Sequence, residues 1–78
     1  MKLYILTNTS AEIYCVYEYI LVVSDSEENA RLILPITDEY EYRENSWCKP
    51  EELEVEYIGI ADTKYKNGDI VCFSYYEG

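Results

Sequence analysis

Residues 13–23, IYCVYEYILVV, restrict the fold more than any other stretch, because they are dense in β-branched and aromatic side chains. Such side chains favour a pleated strand over a helix, so we predict a long strand over Ile13–Val23. A shorter strand is predicted over Leu3–Thr7, and the turn-forming residues 8–10 lie between the two. This short connection predicts an antiparallel hairpin.

A short helix is predicted directly after the hairpin, in the sequence SDSEENARLILP. Ser24 lies three residues before Glu27, and Asp25 lies three residues before Glu28, so two capping registers are open. Either register places an acid in the first helical turn, where the helix dipole favours negative charge.

The same helix has the spacing of one buried face, since Ala30, Ile33 and Leu34 recur at helical intervals. Pro35 predicts the end of the helix, because the residue before a proline is disfavoured in helical conformation. We therefore expect two to three turns that depend on packing against a sheet for their stability.

Two more strands complete the predicted fold. The alternation in Leu53–Ile60 predicts a third strand, in which Gly59 marks a bulge or a close backbone approach. A polar connection over residues 62–69 leads to a last strand over Ile70–Tyr76. The order β-β-α-β-β predicts an α+β fold, a mainly antiparallel sheet with one short helix on one face.

The stretch over residues 36–52 leaves two interpretations open. Tyr40 and Tyr42 alternate with glutamates, which fits a short edge strand. Otherwise the stretch is a long loop, and long loops in compact domains are often functional. Neither interpretation adds a domain boundary, so residues 1–78 form a single predicted domain.

The chain is strongly acidic, with a formal net charge of −10 from sixteen acids and six bases. This charge repels nucleic acid and anionic membranes, so the expected partners are cations or basic protein surfaces. The alternative is that the acids only keep a small protein soluble, but a magnitude of about 2–8 is enough for that purpose.

Eight of the sixteen acids lie between Asp38 and Glu56. On a strand, Glu54 and Glu56 share one face at about 6.6 Å, close to the spacing of the order of 7 Å between successive phosphates of one nucleic-acid strand. Such a row competes with phosphates for an Arg/Lys groove. The simpler interpretation makes these two residues the solvent face of an outer strand. The candidate partner-binding residues are Glu39, Glu41, Glu44, Trp47, Glu51, Glu52, Glu54 and Glu56.

Trp47 also has two interpretations. It is either a lid over the core beneath the long loop or an anchor for a partner, since Trp and Tyr dominate binding hot spots. The ten tyrosines leave a similar choice, because a core of this size holds only a few rings and surface tyrosine is favoured where proteins meet other molecules.

Catalytic and metal-binding patterns are missing from the sequence. The chain has no His, so it lacks an ordinary nucleophilic triad and the usual zinc ligand set. Its three glycines are scattered, which excludes a glycine-rich phosphate loop, and no acidic stretch has the spacing of a calcium loop. We therefore predict that the protein is not an enzyme and uses no cofactor and no metal ion.

The cysteines and the apolar runs predict a location. Cys15, Cys48 and Cys72 are odd in number and form no CxxC pair, which predicts reduced thiols. Residues 1–10 turn polar too early for a signal peptide, and the apolar run 20–23 is too short to span a membrane. We expect the protein to stay in the cytoplasm where it is made.

Five features occur together along the chain: the opening KLYIL, the join VVSDSEENARLI, the mid-chain Trp47, the segment EYIGIAD and the closing GDIVCFSYYEG. In this combination most of the chain resembles a group of short phage-encoded proteins of unassigned activity. The shared motifs are structural, so the resemblance implies no catalytic residues, and the acidic TDEYEYREN stretch is expanded here relative to that group. Small acidic phage proteins are often inhibitors of host nucleic-acid machinery, including anti-CRISPR proteins, and some mimic nucleic acid. The resemblance implies that context and the host-cell cytoplasm.

Three functions are therefore predicted, in order. The first is a non-enzymatic phage inhibitor of the anti-CRISPR type, which binds a basic nucleic-acid-binding groove of a host defence complex. Its partner is a basic host protein or ribonucleoprotein complex, with no direct contact to nucleic acid or membrane. The second is a structural or assembly module, as a homodimer through an exposed strand edge. The third is a small-molecule or nucleotide sequestering protein. The net charge counts against phosphate ligands unless Lys2, Arg31, Lys64 and Lys66 converge.

Overall fold

The computed structural model describes residues 1–9, 16–40, 42 and 46–76. It confirms the α+β fold and the order β-β-α-β-β, with strand bounds within a few residues of those predicted. The start of the second predicted strand, residues 13–15, lies outside the described residues. The elements are β1 (Lys2–Thr7), β2 (Val16–Ser24), α1 (Glu27–Ala30), a short 3-10 helix (Pro50–Glu52), β3 (Glu54–Ile60) and β4 (Ile70–Tyr76).

The four strands form one sheet in the order β3-β1-β2-β4, and each neighbouring pair is antiparallel. The hairpin of β1 and β2 is therefore the centre of the sheet, and β3 and β4 are its two outer strands. The connection over residues 61–69 must cross from one edge to the other. It is tied to the central hairpin, because the Gly68 N–H donates to the Val23 carbonyl at 2.8 Å and the Val23 N–H donates to the Asp69 carbonyl at 2.9 Å.

The core lies on one face of this sheet. Alternate residues of the central strands, Tyr4 and Leu6 from β1 with Ile20 and Val22 from β2, are buried there. This alternation is what the period of two in a strand produces when one face is covered. The residues that cover the face include Ala30 from α1 and the loop residues Trp47 and Leu53.

The helix is shorter than predicted, one turn over Glu27–Ala30. Its cap is Ser26, whose hydroxyl accepts a hydrogen bond from the Asn29 N–H at 3.2 Å, so neither predicted capping register was right. The reason is that Ser24 is still part of β2, where it pairs with Lys2 and is fully buried. The helix starts only after the chain has left the sheet.

The predicted helical face is only partly correct. Ala30 is buried in the core and Ile33 packs against it, but Leu34 is 46% exposed. Residues 33–37 have no helical structure, which agrees with the bias of residues before Pro35 towards extended backbone. In this segment Ile33 and Pro35 are turned inward, and Leu34 is turned to solvent. The Ile36 N–H donates to the Leu34 carbonyl at 2.8 Å, which makes a tight turn about Pro35.

Of the stretch 36–52, the described members 36–40, 42 and 46–52 contain no strand, and their last three residues form the 3-10 helix. The predicted bulge near Gly59 is confirmed, because the pairing of β1 with β3 skips Ile58 between the partners of Leu3 and Tyr4. The alternative of a close backbone approach is wrong, because a Cβ built on Gly59 would meet nothing within 4 Å.

Candidate functional site

The third strand carries two acids on one face. β3 pairs with β1 so that Glu54 lies opposite Thr7 and Glu56 lies opposite Ile5. Both glutamates are exposed, and as alternate residues of a strand they are spaced by about 6.6 Å. The predicted sharing of a face by Glu54 and Glu56 is thus confirmed.

This face is the one opposite to the core. The register places Leu3, Ile5 and Leu21 on it, beside the acids, and these three side chains are only partly buried. Among the described strand residues, the face carries no Lys or Arg. Glu54 and Glu56 therefore border an apolar surface with no cation from the sheet beside them.

Two further acids, Glu51 and Glu52, lie just before β3 in the 3-10 helix and are exposed. The helix begins with Pro50, which is favoured at a first helical position because its fixed φ suits the helix. The Thr9 hydroxyl donates to the Glu52 carbonyl at 2.7 Å, which ties the turn to the end of β1. We call these four residues the β3 acidic row: Glu51, Glu52, Glu54 and Glu56.

Arg31 holds the start of the β3 acidic row against the helix. Its guanidinium donates to the carbonyls of Pro50 at 2.9 Å and Leu53 at 3.0 Å. It also pairs with Glu27 one turn earlier on the helix at 3.1 Å. That pair is exposed enough to contribute little, so the two carbonyl contacts are the more important part.

We predict that Arg31→Met lowers the free energy of unfolding by about 1–2 kcal/mol, since the Pro50 and Leu53 carbonyls lose a charged donor. Urea denaturation measures the change. Lys66→Met is the matched control, because it removes one positive charge at an exposed position of the crossing connection. Equal stability of the two variants would show that the contacts of Arg31 with the two carbonyls do not stabilise the segment 50–53.

Trp47 belongs to the core and not to the exposed surface. Its side chain is 6% exposed and packs in the same cluster as Leu6 and Leu53. The preceding residue is held by Asn8, whose side-chain amide donates to the Ser46 carbonyl at 3.3 Å. Of its two interpretations, the lid over the core is therefore the one that matches the structure, and in this position the ring offers no area to a partner.

The start of the acid-rich region 38–56 is fixed on the β4 side of the sheet. The Tyr40 ring stacks on Tyr75 with centroids 3.9 Å apart. The hydroxyl of the fully buried Tyr17 lies 3.0 Å from the Thr37 hydroxyl and donates to the Tyr40 carbonyl at 3.1 Å. Glu39, which is exposed, is therefore placed next to an aromatic cluster on β2 and β4.

The sheet separates acids that are close in sequence. Glu39 is held near β4, whereas the β3 acidic row borders the opposite edge. Three strand spacings, about 14 Å, lie between the two outer strands. Glu41 and Glu44 lie outside the described residues. The structure therefore brings together four of the candidate residues, Glu51, Glu52, Glu54 and Glu56, and not the whole predicted set.

A groove of about 380 Å³ lies between residues 36–38 and the first half of β4. Asp38 and Asp69 line it together with apolar residues such as Ile70 and Phe73. Sequence reasoning missed this groove, because the crossing connection brings Asp69 next to residues more than 30 positions earlier in the chain. The Asp69 carboxylate is engaged locally, since it accepts a hydrogen bond from the Lys66 N–H at 2.8 Å.

The outer strand β3 also exposes apolar side chains. Tyr57 is 54% exposed and Ile60 is 71% exposed, and Ile58 between them is exposed as well. Tyr57 keeps an edge-to-face contact with Tyr4 at 5.8 Å between ring centroids, so one side of its ring is held while the other faces solvent. Each outer strand of a sheet has backbone groups without a neighbouring strand, which makes it a template for another chain.

Two of the four cations that a phosphate ligand would require, Arg31 and Lys64, already have contacts within the fold. Arg31 is engaged by Glu27 and by two carbonyls, and the Lys64 ammonium lies over the Tyr65 ring at 5.2 Å. The Arg31 guanidinium therefore has few donors left for a phosphate ligand. The pKa of the Asp25 carboxyl is held below its ordinary value chiefly by the side-chain hydrogen bond from Asn29 at the helix start.

Within residues 1–9, 16–40, 42 and 46–76, no group of three or more His, Cys, Asp or Glu side chains is arranged to hold a metal ion. The helices of the same residues include none with the length and hydropathy needed to cross a membrane. Comparison of the chain with protein-family models, with curated proteins and with solved structures found no match.

Proposed function

We propose that this protein is a non-enzymatic inhibitor that binds a basic, nucleic-acid-binding groove of a host defence complex in the host-cell cytoplasm. The observation that carries the proposal is the β3 acidic row, in which Glu54 and Glu56 stand exposed on one face of an outer strand. Their face carries no cation among the described strand residues. A groove lined by Arg and Lys supplies the missing partner charge.

The mechanism is occupation of the groove. Carboxylates spaced by about 6.6 Å along a strand have nearly the spacing of successive phosphates, so they satisfy guanidinium and ammonium groups that otherwise hold nucleic acid. The net charge of −10 speeds the encounter with a basic surface, and added salt weakens that attraction. No bond is made or broken, and the nucleic acid is excluded because its site is filled.

The resemblance to short phage-encoded proteins adds the biological context. A phage benefits from blocking a host complex that recognises foreign nucleic acid, and CRISPR effectors are complexes of this kind with long basic channels. A CRISPR effector, a basic ribonucleoprotein, is therefore the first partner to test.

The test is affinity capture from a nuclease-treated bacterial lysate that contains CRISPR effectors, carried out at low and at high salt. Nuclease treatment removes partners that are held only through nucleic acid. We expect one nucleic-acid-binding complex to be retained at low salt and reduced at high salt, and mass spectrometry identifies it. Capture of the same proteins by a variant with Glu54→Lys and Glu56→Lys would contradict the proposal.

A second candidate function is a structural or assembly module that forms a homodimer through β3. The exposure of Tyr57, Ile58 and Ile60 on that strand favours it, because apolar side chains at an open sheet edge are unusual in a monomer. Sedimentation at several protein concentrations separates the two functions. A concentration-dependent dimer with no captured partner favours the module.

A further inference from the structure

We propose that β3 receives its partner by strand addition, as an extended basic segment that becomes a fifth strand of the sheet. This inference rests on the proposed function and specifies how the partner is held. The two outer strands differ in the described part of the chain. β4 is flanked by the loop that carries Thr37 and Tyr40, whereas β3 pairs with β1 on one side and no described strand lies on its other side.

The alternation of backbone groups shows which residues of β3 face the open side. The Ala61 N–H donates to the Met1 carbonyl at 2.9 Å, so β1 directs the backbone groups of its odd-numbered residues towards β3. In the register of the pair, Glu54 and Glu56 lie opposite odd-numbered residues and turn their backbone groups inward. The N–H and C=O groups of Val55 and Tyr57 are therefore those that point to the open edge.

The side chains of the same stretch define the sequence that fits. Residues directly opposite each other on antiparallel strands have Cβ atoms about 4.5–5.5 Å apart, and opposite charges at such positions are stabilising. A strand added to β3 brings alternate residues opposite Glu54 and Glu56, so Arg or Lys at positions i and i+2 is the matching pattern. On the other face, the half-exposed ring of Tyr57 favours an apolar or aromatic neighbour.

The occupant is a basic segment and not a second copy of this chain. The bulge at Ile58 limits the regular part of β3 to Glu54–Tyr57. Two copies that pair through three residues of that part do so either about Val55, with Glu54 opposite Glu56, or about Glu56, with Glu56 opposite itself. Both registers place carboxylates directly opposite each other, which is destabilising, and each copy adds a net charge of −10.

The experiment uses two synthetic peptides with equal composition and charge. In the first, two arginines alternate with valines, and in the second the two arginines are adjacent. We expect the alternating peptide to bind the protein about tenfold more tightly, because only it places a guanidinium opposite each glutamate. We also expect it to slow amide hydrogen exchange at Val55 and Tyr57, the two groups that gain a strand partner.

Tyr57→Pro and Tyr57→Ala form a matched pair of variants. Both remove the ring, but only proline removes the outward N–H, and proline is tolerated on an outer strand when its nitrogen faces solvent. We expect Tyr57→Ala to bind the alternating peptide about tenfold more tightly than Tyr57→Pro. Circular dichroism tests whether each variant is folded. If Tyr57→Pro is unfolded, the exchange measurement on the unmodified chain decides whether a strand is added.

Three results would overturn strand addition. Equal binding of the two peptides without protection at Val55 and Tyr57 would mean that the carboxylates bind basic groups without an added strand, and the proposed function would stand. If exchange at the Val55 and Tyr57 amides slows as the protein concentration rises, with no peptide present, the edge is occupied by a second copy of the chain. Peptide binding that is insensitive to Glu54→Lys and Glu56→Lys would remove both strand addition and the proposed function.

Discussion

Ala30→Asp is expected to remove a large part of the stability of the domain and to lower its thermal transition well below that of the parent chain. Ala30 has no solvent exposure and lies in the core cluster between α1 and the sheet. A carboxylate at this position is buried without a partner, which costs about 3–5 kcal/mol. A domain of this length has a total stability of about 4–12 kcal/mol, so one substitution removes a large part of it.

The matched control for this prediction is Leu32→Asp. Leu32 follows Ala30 by two residues and is 66% exposed, so the same change from an apolar side chain to Asp there buries no charge. We expect its thermal transition, followed by circular dichroism, to stay close to that of the parent chain. A cooperative transition of Ala30→Asp near the parent temperature would show that the helix is not packed on the sheet as described.

The second large effect is expected from reversing the β3 acidic row. Replacing Glu51, Glu52, Glu54 and Glu56 by Lys should abolish binding to the basic partner, because each position then repels the groups that it formerly attracted. Each reversal adds two positive charges, so the net charge of −10 changes to about −2. Self-repulsion therefore falls, and the fold should be unchanged or more stable.

Affinity capture and urea denaturation of the reversed variant measure the two halves of this prediction. All four side chains are exposed, so their replacement leaves no cavity in the core. Loss of capture together with an unchanged or higher unfolding midpoint is the expected result. Retained capture would mean that the partner recognises another surface, and loss of the fold would mean that these acids have a structural role.

The strands could be predicted from sequence because their signals are local. The dense run before Ser24 and the alternation in Leu53–Ile60 correspond to β2 and β3, and the predicted Ile70–Tyr76 has the bounds of β4. β-branched and aromatic residues favour a half-buried pleated surface in any sheet, so no knowledge of neighbours was needed. The order of the strands in the sheet could not be predicted in this way, because it depends on contacts between strands that are distant in sequence.

The helix shows where local signals compete. Ser24 and Asp25 both have capping patterns, but Ser24 is retained in β2 by its pairing with Lys2, and Ser26 becomes the cap. At the other end, the side chain of Arg31 reaches the Pro50 and Leu53 carbonyls, and helical structure has ended before Pro35. These long-range contacts are not visible in a local spacing pattern.

The candidate site was predictable only in its strand part. Glu54 and Glu56 share a face because alternate residues of any strand do so. The separation of Glu39 from them depends on the crossing of the connection to β4 and on the stacking of Tyr40 on Tyr75. Trp47 is buried by the same tertiary arrangement, and its sequence neighbourhood favoured the lid over the anchor without excluding the anchor.

The most direct test of the central claim is displacement of labelled nucleic acid from the purified captured complex. Three proteins are compared: the parent chain, the Glu54→Gln and Glu56→Gln double variant, and the Glu28→Gln and Asp38→Asn double variant, which loses the same charge at other exposed positions. We expect displacement by the parent and the control, and at least about tenfold weaker displacement by the β3 variant. Equal displacement by the two double variants would contradict it, because only the total charge would then matter.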